Sequence, residues 1–226
     1  MMKSRKEIKE RAREMRKAHK TVSILYILAL AAAISVVGGI LGRIPYLGTA
    51  IFVPAWGIIG SFITFIMVPK VYMGIYRNED RDIMQVGEDT FEFVKELITG
   101  DKTRSIEIIK KWACTMLLTI LWGLVPIVGW IHILLYAAVP YIMLENPELG
   151  YKETINKSME IMKGHRWEMI VLYLSFIGWL LLSVFTFGIL DIVFTVPYMQ
   201  ISAAGFILER MEDAGLTKVD KVANEA

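Results

Sequence analysis

Five stretches of the chain contain no Asp, Glu, Lys or Arg, and they dominate the pattern of polar and apolar positions. They cover residues 21–42, 44–69, 112–144, 169–190 and 192–208. A helix needs about 20 mainly apolar residues to cross the hydrocarbon core of a bilayer. A soluble domain of 226 residues has no need of five such runs. The pattern therefore predicts an all-α polytopic membrane bundle.

The longest run, residues 112–144, is too long for a single membrane helix. It would extend about 50 Å, whereas the hydrocarbon core is about 30 Å thick. Pro126 and Gly129 offer a break inside it, and Gly188 offers a turn between the last two runs. We therefore predict six transmembrane helices in three hairpins, at about 21–41, 50–76, 106–125, 127–144, 167–187 and 189–208.

The basic residues predict the orientation of this bundle. With six spans, both termini and the segments 77–111 and 145–166 lie on one side, which carries 24 of the 25 Lys and Arg residues. Arg43 lies on the other side. The positive-inside rule then places both termini in the cytoplasm.

The N-terminal segment 1–20 has the pattern of a basic amphipathic helix. It holds nine Lys or Arg residues against three Glu residues, and Ile8, Ala12, Met15 and His19 share one helical face. We expect such a helix to lie on the membrane, where each well-placed basic residue favours anionic lipid by about 1 kcal/mol. The alternative is a solvated charged helix that is stabilised by Glu–Arg pairs.

The other polar segments are also predicted to be helical. The spacing of apolar residues indicates cytoplasmic amphipathic helices over 87–100 and 146–164. In the second of these, Asn146 is the predicted N-cap and Gly164 the predicted end. Residues 209–226 form a predicted polar C-terminal tail.

Four strings stand out in the second half of the chain: VPYIMLENPEL (139–149), SMEIMKGHRWEM (158–169), LSFIGWLLLSVFTFGI (174–189) and VPYMQISAAGF (196–206). They resemble an uncharacterised family of bacterial integral membrane proteins, known as domain of unknown function 975. The start of the chain, MKSRKEIKERARE (2–14), is also similar to the family. The resemblance implies a multi-pass protein of the bacterial cytoplasmic (inner) membrane, and it implies no particular activity.

The chain offers few groups for catalysis or for metal binding. His19, His132 and His165 fall in three different predicted elements, without the spacing of zinc ligands. Cys114 has no base near it in the sequence, so we interpret it as a small buried thiol. There is no glycine-rich nucleotide motif, and the basic segment adjoins a membrane span. We therefore expect no enzyme activity, no cofactor, no metal and no nucleic-acid partner.

The remaining polar residues predict a contact site at the cytoplasmic face. His165 and Arg166 offer donors to a phosphate group, and Trp167 suits the depth of the membrane interface. The alternative is that these residues only end one helix and anchor the next. Asp191 and His132 are the candidate polar residues within the spans, although both fit the outer surface as well. The candidate lipid or partner contacts are Asn146, Glu148, Lys163, His165, Arg166, Trp167 and Glu168.

Together these features predict a non-enzymatic membrane protein that acts through lipid or protein contacts at its cytoplasmic face. Its expected partners are the lipid bilayer, with anionic lipid at the N-terminal helix, and a second membrane protein. The alternative function is a small transporter or exporter, in which Pro69, Pro140 and Pro197 kink their helices around a site at the membrane midplane.

Overall fold

The computed structural model describes residues 5–43, 51, 53–77, 83–125, 128–186 and 188–217, and these residues form helices and turns without any strand. One 3₁₀ turn covers Leu134–Tyr136, and one π-helix covers Asp191–Thr195. The α-helices are α1 (Arg5–Ala18), α2 (Lys20–Gly42), α3 (Val53–Tyr76), α4 (Ile83–Thr99), α5 (Lys102–Gly123), α6 (Val128–Ile133), α7 (Val139–Glu145), α8 (Tyr151–Met162), α9 (Arg166–Leu174), α10 (Ile177–Phe185) and α11 (Val196–Asp213).

Four helical segments are long and apolar enough to cross a membrane. They are Lys20–Gly42, Val53–Tyr76, Arg166–Phe185 and Asp191–Asp213. The protein is therefore all-helical with several membrane-length apolar helices, as the charge-free runs predicted. The segment Ile131–Glu145 is apolar but shorter. The finer count of six spans in three hairpins stays a prediction.

Helices α2 and α3 pack side by side. Towards the C-terminal end of α2, the indole N–H of Trp56 donates to the carbonyl of Ile34 over 2.7 Å. At the other end, the hydroxyl of Tyr72 donates to the carbonyl of Ser23 over 3.1 Å. These two contacts fix the antiparallel register of the hairpin. Residues 44–50, which contain the predicted turn, lie outside the described residues.

The predicted span over 167–187 is interrupted near its middle. Helix α9 ends at Leu174 and α10 begins at Ile177. Between them, the Ser175 hydroxyl donates to the carbonyl of Leu172 over 2.5 Å. Such a bond from a serine hydroxyl to a preceding carbonyl often accompanies a bend in a helix. After α10, Gly188 adopts φ = 80° and forms the predicted turn.

The three prolines do not all lie inside helices. Pro69 is inside α3, where it removes one backbone donor. Pro140 and Pro197 instead occupy the first turns of α7 and α11. Proline is favoured in the first turn of a helix, where its fixed φ suits the helical backbone. Pro140 and Pro197 therefore lie where a 3₁₀ turn or a π-helix changes into an α-helix, whereas Pro69 lies inside a regular α-helix.

The prediction that Asn146 caps a helix over 146–164 is wrong. Helix α8 begins at Tyr151 with Gly150 in the cap position, and Asn146 follows the last residue of α7. The Asn146 side chain instead donates to the carbonyl of Leu216 over 2.8 Å. The predicted end at Gly164 is confirmed, because Gly164 has φ = 94°, a left-handed conformation that glycine adopts readily.

The buried core occupies one half of the bundle. It is formed mainly by Ile66–Tyr76 of α3, by α7 and by Tyr198–Met211 of α11. Helices α3, α7 and α11 all finish on this side, which we call the charged end. The opposite side, the apolar end, exposes large apolar side chains such as Phe185, which is 82% exposed.

Helix α1 packs onto the bundle rather than standing apart from it. It contacts α11 and α3, and its Ile8 and Ala12 side chains are fully buried. The structure therefore excludes a fully solvated helix for this segment. The predicted contact between α1 and anionic lipid stays a prediction.

Candidate contact site at the charged end

The turn between α8 and α9 places His165 and Glu168 beside α11. Helix α8 ends at Met162, Gly164 reverses the chain, and His165 stands at the cap position of α9. Glu168 lies in the first turn of α9. A carboxylate in the first turn of a helix is stabilised by the helix dipole.

Glu168 pairs with an arginine that comes from the last turn of α11. Arg210 Nη2 donates to Glu168 Oε2 over 2.7 Å, and His165 Nδ1 lies 3.5 Å from the same oxygen. The Arg210 side chain is only 4% exposed, and its guanidinium carbon lies 4.0 Å from the centre of the Phe206 ring. Within the described part of the chain, Arg210 Nε and Nη1 find no hydrogen-bond acceptor.

This pair adjoins an open cleft of about 420 Å³ at the charged end. The cleft is lined by three permanent cations, Lys157, Lys163 and Arg210, and by two carboxylates, Glu160 and Asp213. His165 also lines it and would add a positive charge when protonated. The arrangement suits a partner group with acceptor oxygens, such as a carboxylate or a phosphate, because lysine, arginine and protonated histidine all donate hydrogen bonds to such oxygens.

Asn146 supports the cleft from behind. Its side chain is almost fully buried, and its bond to the carbonyl of Leu216 holds the segment after α11 in place. Leu216 is one of the residues that line the cleft. Glu148 is exposed, and Trp167 is 68% exposed on α9. The structure therefore brings Lys163, His165 and Glu168 together, with Asn146 in a supporting position.

Arg210 is the central residue that the sequence did not reveal. It follows the last charge-free run by two residues, so it was assigned to the polar tail 209–226. In the structure α11 continues to Asp213, and Arg210 is buried in its last turn. The signal was the spacing of four between Phe206 and Arg210, which puts both on one helical face.

The two polar residues predicted within the spans lie elsewhere in the bundle. The Ser183 hydroxyl donates to Asp191 Oδ2, while Asp191 Oδ1 is buried without a partner among the described residues. The ring of His132 stacks on that of Trp122, with centroids 4.0 Å apart and planes 12° from parallel. Neither residue contributes to the cleft at Arg210.

A second polar network, also at the charged end, joins four helices. Arg77 Nη1 donates to Glu145 Oε1 over 2.7 Å, and Glu145 is 3% exposed. The Tyr76 hydroxyl donates to Glu209 Oε1 over 3.1 Å. Arg11 Nε donates to the carbonyl of Tyr76 over 3.3 Å. These contacts connect α1, α3, α7 and α11, so we interpret the network as structural.

Comparison with known proteins adds one finding. The model of the family described as "Protein of unknown function (DUF975)" matches residues 90–209, just over half of the 226-residue chain. The matched region includes His165 and Glu168 but ends one residue before Arg210. Neither the curated proteins nor the solved structures gave a match.

Proposed function

The chain belongs to the DUF975 family, and from that premise we propose a non-enzymatic integral membrane protein that acts through lipid or protein contacts at its charged end. The observation that carries the proposal is the cleft beside Arg210. A buried guanidinium is costly to maintain unless its charge is compensated. Here Glu168 accepts the hydrogen bond from Arg210 Nη2, and Arg210 also lines a cleft that contains Lys163 and His165.

We further propose that the charged end faces the cytoplasm of a bacterial inner membrane. The support is the distribution of Lys and Arg along the sequence. With the predicted spans, 24 of these 25 residues lie on the side of the charged end, and only Arg43 lies on the opposite side. This orientation is the same whether the last apolar hairpin crosses the membrane or only enters it, because both arrangements return the chain to the side from which it came. Reporter fusions at positions 90 and 155 test the orientation, because a periplasmic signal at either position would reverse it.

Anionic lipid is the proposed partner of α1, with a weaker preference than the sequence alone indicates. Three of its basic side chains, Lys9, Arg11 and Arg16, contact other parts of the protein. The exposed charged residues of α1 are four basic and three acidic: Arg5, Lys6, Arg13, Lys17, Glu7, Glu10 and Glu14. At about 1 kcal/mol per unbalanced basic residue, we expect a net preference on the order of 1 kcal/mol.

Photo-crosslinking in cells tests the contact role of the cleft. A photoreactive amino acid replaces Lys163, which is exposed at the cleft, and in a second variant it replaces Lys152. Lys152 is also an exposed lysine of α8, but it does not line the cleft, which makes it a matched control. We expect a discrete crosslinked protein or lipid from position 163 that is missing from position 152.

Identical crosslinking patterns from the two positions would contradict the proposal. The second requirement is that the product from position 163 disappears when His165 is also replaced by Ala. His165 lines the same cleft, and its side chain is about a quarter exposed. A crosslink that persists in this variant would show that the cleft itself is not recognised.

A further inference from the structure

The apolar surface of the last two candidate spans begins abruptly near their middle. On α9, the large apolar side chains that are exposed are Trp167 and Leu174. From Ile177 to Val193 such side chains follow one another, and Phe185 at the end of α10 is 82% exposed. The lipid-facing surface of this hairpin therefore starts at about Leu174, rather than at Arg166 where the apolar segment begins.

Helix α1 lies across the base of this apolar hairpin. Lys9 Nζ donates to the Ser175 hydroxyl over 2.8 Å and lies 4.5 Å from the centre of the Phe176 ring. On the neighbouring helix, the Tyr198 hydroxyl donates to the carbonyl of Lys9 over 3.2 Å. The guanidinium carbon of Arg16 lies 4.1 Å from the centre of the Phe194 ring. Four contacts thus fix the level of α1 on the hairpin.

The charge of α1 keeps it out of the hydrocarbon core. Seven of its charged side chains are exposed: Arg5, Lys6, Glu7, Glu10, Arg13, Glu14 and Lys17. Each charged residue at the centre of a bilayer costs about 2.5–3.5 kcal/mol or more. Helix α1 must therefore lie among the lipid headgroups or in water. Ser175 and Tyr198, which touch it, must lie at or outside the edge of the hydrocarbon.

The hairpin beyond this level is too short to cross the bilayer. Residues 177–185 make a helix of about 14 Å, and the segment from Tyr198 back to Gly188 extends about 15 Å, against a core of about 30 Å. By the same measure, α2 extends about 33 Å beyond Lys20, which is enough to cross. By length and composition, Arg166–Phe185 and Asp191–Asp213 could each cross a membrane. Because α1 lies at headgroup level beside their middle, about half of each segment lies outside the hydrocarbon.

We propose that the hairpin of α10 and the π-helix enters one leaflet only and ends near the bilayer midplane, with α1 at headgroup level across its base. The exposed apolar side chains of this hairpin contact the acyl chains of that leaflet. On this proposal α2 and α3 cross the membrane, while the predicted spans 167–187 and 189–208 do not. The assignment to the cytoplasmic leaflet rests on the proposed orientation, whereas the depth does not.

Asp191 enters the hydrocarbon with the hairpin. The structure limits the cost of this burial, because the Ser183 hydroxyl donates to Asp191 Oδ2 and the Asp191 side chain is partly covered. Ser183 itself is 4% exposed, so the hydrogen bond lies on the inner side of the hairpin, away from lipid. The polar pair therefore faces the protein and not the acyl chains.

Spin labels at two lipid-exposed positions test the depth. In the full chain with Cys114→Ser, single cysteines are introduced as Leu174→Cys and Phe185→Cys, and the labelled protein is placed in phosphatidylcholine vesicles. Power saturation then compares collisions with oxygen, which concentrates at the midplane, and with a water-soluble nickel complex. The matched control is Arg43→Cys, at the end of α2.

A hairpin that enters one leaflet and a pair of spanning helices predict opposite accessibility to oxygen and nickel at positions 174 and 185. We expect a midplane signal, with high oxygen and low nickel accessibility, at position 185, and an interfacial signal at 174. Position 43 should report the aqueous boundary. A span over 167–187 would put 185 at the far boundary, like 43, and 174 inside the hydrocarbon, and that result would overturn the proposal. Because neither position lines the Arg210 cleft, the result is independent of the contact function.

Discussion

Tyr76 fastens the end of α3 to α11 through both its ring and its hydroxyl group. The hydroxyl donates to Glu209 Oε1 over 3.1 Å. The edge of the ring lies so close to Gly205, one turn earlier in α11, that a Cβ atom at Gly205 would be 2.2 Å from Tyr76 Cε2. The two helices therefore approach more closely here than any side chain at position 205 would permit.

The hydroxyl contact predicts the effect of Tyr76→Phe. This substitution keeps the ring and removes one hydrogen bond to a carboxylate that is 7% exposed. A hydrogen bond to a charged group contributes about 1.5–3 kcal/mol. We expect a loss of stability in that range, measured as a lower Tm of the protein in nanodiscs. The control is Tyr151→Phe, because the Tyr151 hydroxyl does not contact Glu209. Equal losses of Tm in the two variants would contradict a stabilising role of the Tyr76–Glu209 hydrogen bond.

The ring contact predicts that Gly205→Ala is strongly destabilising. The added methyl group overlaps the Tyr76 ring, and forcing extra atoms into a packed site costs about 1–3 kcal/mol or more. Gly87→Ala in α4 is the matched control, because no atom lies within 4 Å of its new Cβ. In a helix, alanine is favoured over glycine by about 1 kcal/mol. The two substitutions should therefore shift Tm in opposite directions, and a Tm for Gly205→Ala at or above that of the parent would exclude the close packing.

The Arg77–Glu145 pair predicts a second difference between matched variants. Glu145 is 3% exposed and Arg77 is 29% exposed, so Arg77→Ala leaves a buried carboxylate without this cation, and we expect a cost of about 3 kcal/mol. Glu92→Ala breaks the exposed pair of Glu92 with Lys95 and should cost less than about 0.5 kcal/mol. Thermal unfolding of the two variants measures both costs. Similar costs would mean that the Arg77 pair contributes no more than a surface one.

The sequence predicted the helices that are uniform and not those that are interrupted. The bounds of α2 and α3 agree with the predicted spans 21–41 and 50–76 to within about three residues, because both helices are strongly apolar along most of their length. A charge-free run does not show where its helix breaks. The interruption at Ser175 lies inside a charge-free run, so hydropathy gives no sign of it, and the contact of Lys9 with Ser175 joins residues that are 166 positions apart.

The candidate site was predicted in part for a similar reason. His165 and Glu168 stood out because polar residues are unusual at the start of an apolar run. Their partner Arg210 is 42 residues from Glu168 in the sequence, and only the packing of α9 on α11 brings the two together. Asn146 was assigned a local capping role, whereas its bond to Leu216 spans 70 residues. Long-range pairings of this kind leave no periodic trace in one sequence.

The unequal burial of Glu168 and Arg210 predicts an asymmetric response to mutation. The Glu168 side chain is 41% exposed and Arg210 is 4% exposed. Glu168→Ala leaves a buried cation without its acceptor, so we expect a loss of about 2 kcal/mol, moderated by solvent near the cleft. Arg210→Met removes the buried charge, and the remaining carboxylate can be hydrated, so this variant should lose less. Thermal unfolding in nanodiscs measures both losses of stability. A larger loss in Arg210→Met than in Glu168→Ala would show that Glu168 does not compensate the charge of Arg210.

The proposed depth of the last hairpin predicts that Asp191→Asn stabilises the protein in a bilayer. If Asp191 lies within the hydrocarbon, the substitution removes an ionisable group whose charge is unfavourable there, and the amide oxygen still accepts the Ser183 hydrogen bond. We expect a gain of about 1–2 kcal/mol in membrane-embedded unfolding measurements, given the cost of a charge at that depth. Ser183→Ala should act in the opposite direction, because it removes the donor and leaves the carboxylate. If Asp191 instead lay among the headgroups of the far leaflet, Asp191→Asn would be close to neutral, since water would hydrate the charge. The sign and size of the two shifts together therefore measure how deeply Asp191 is placed.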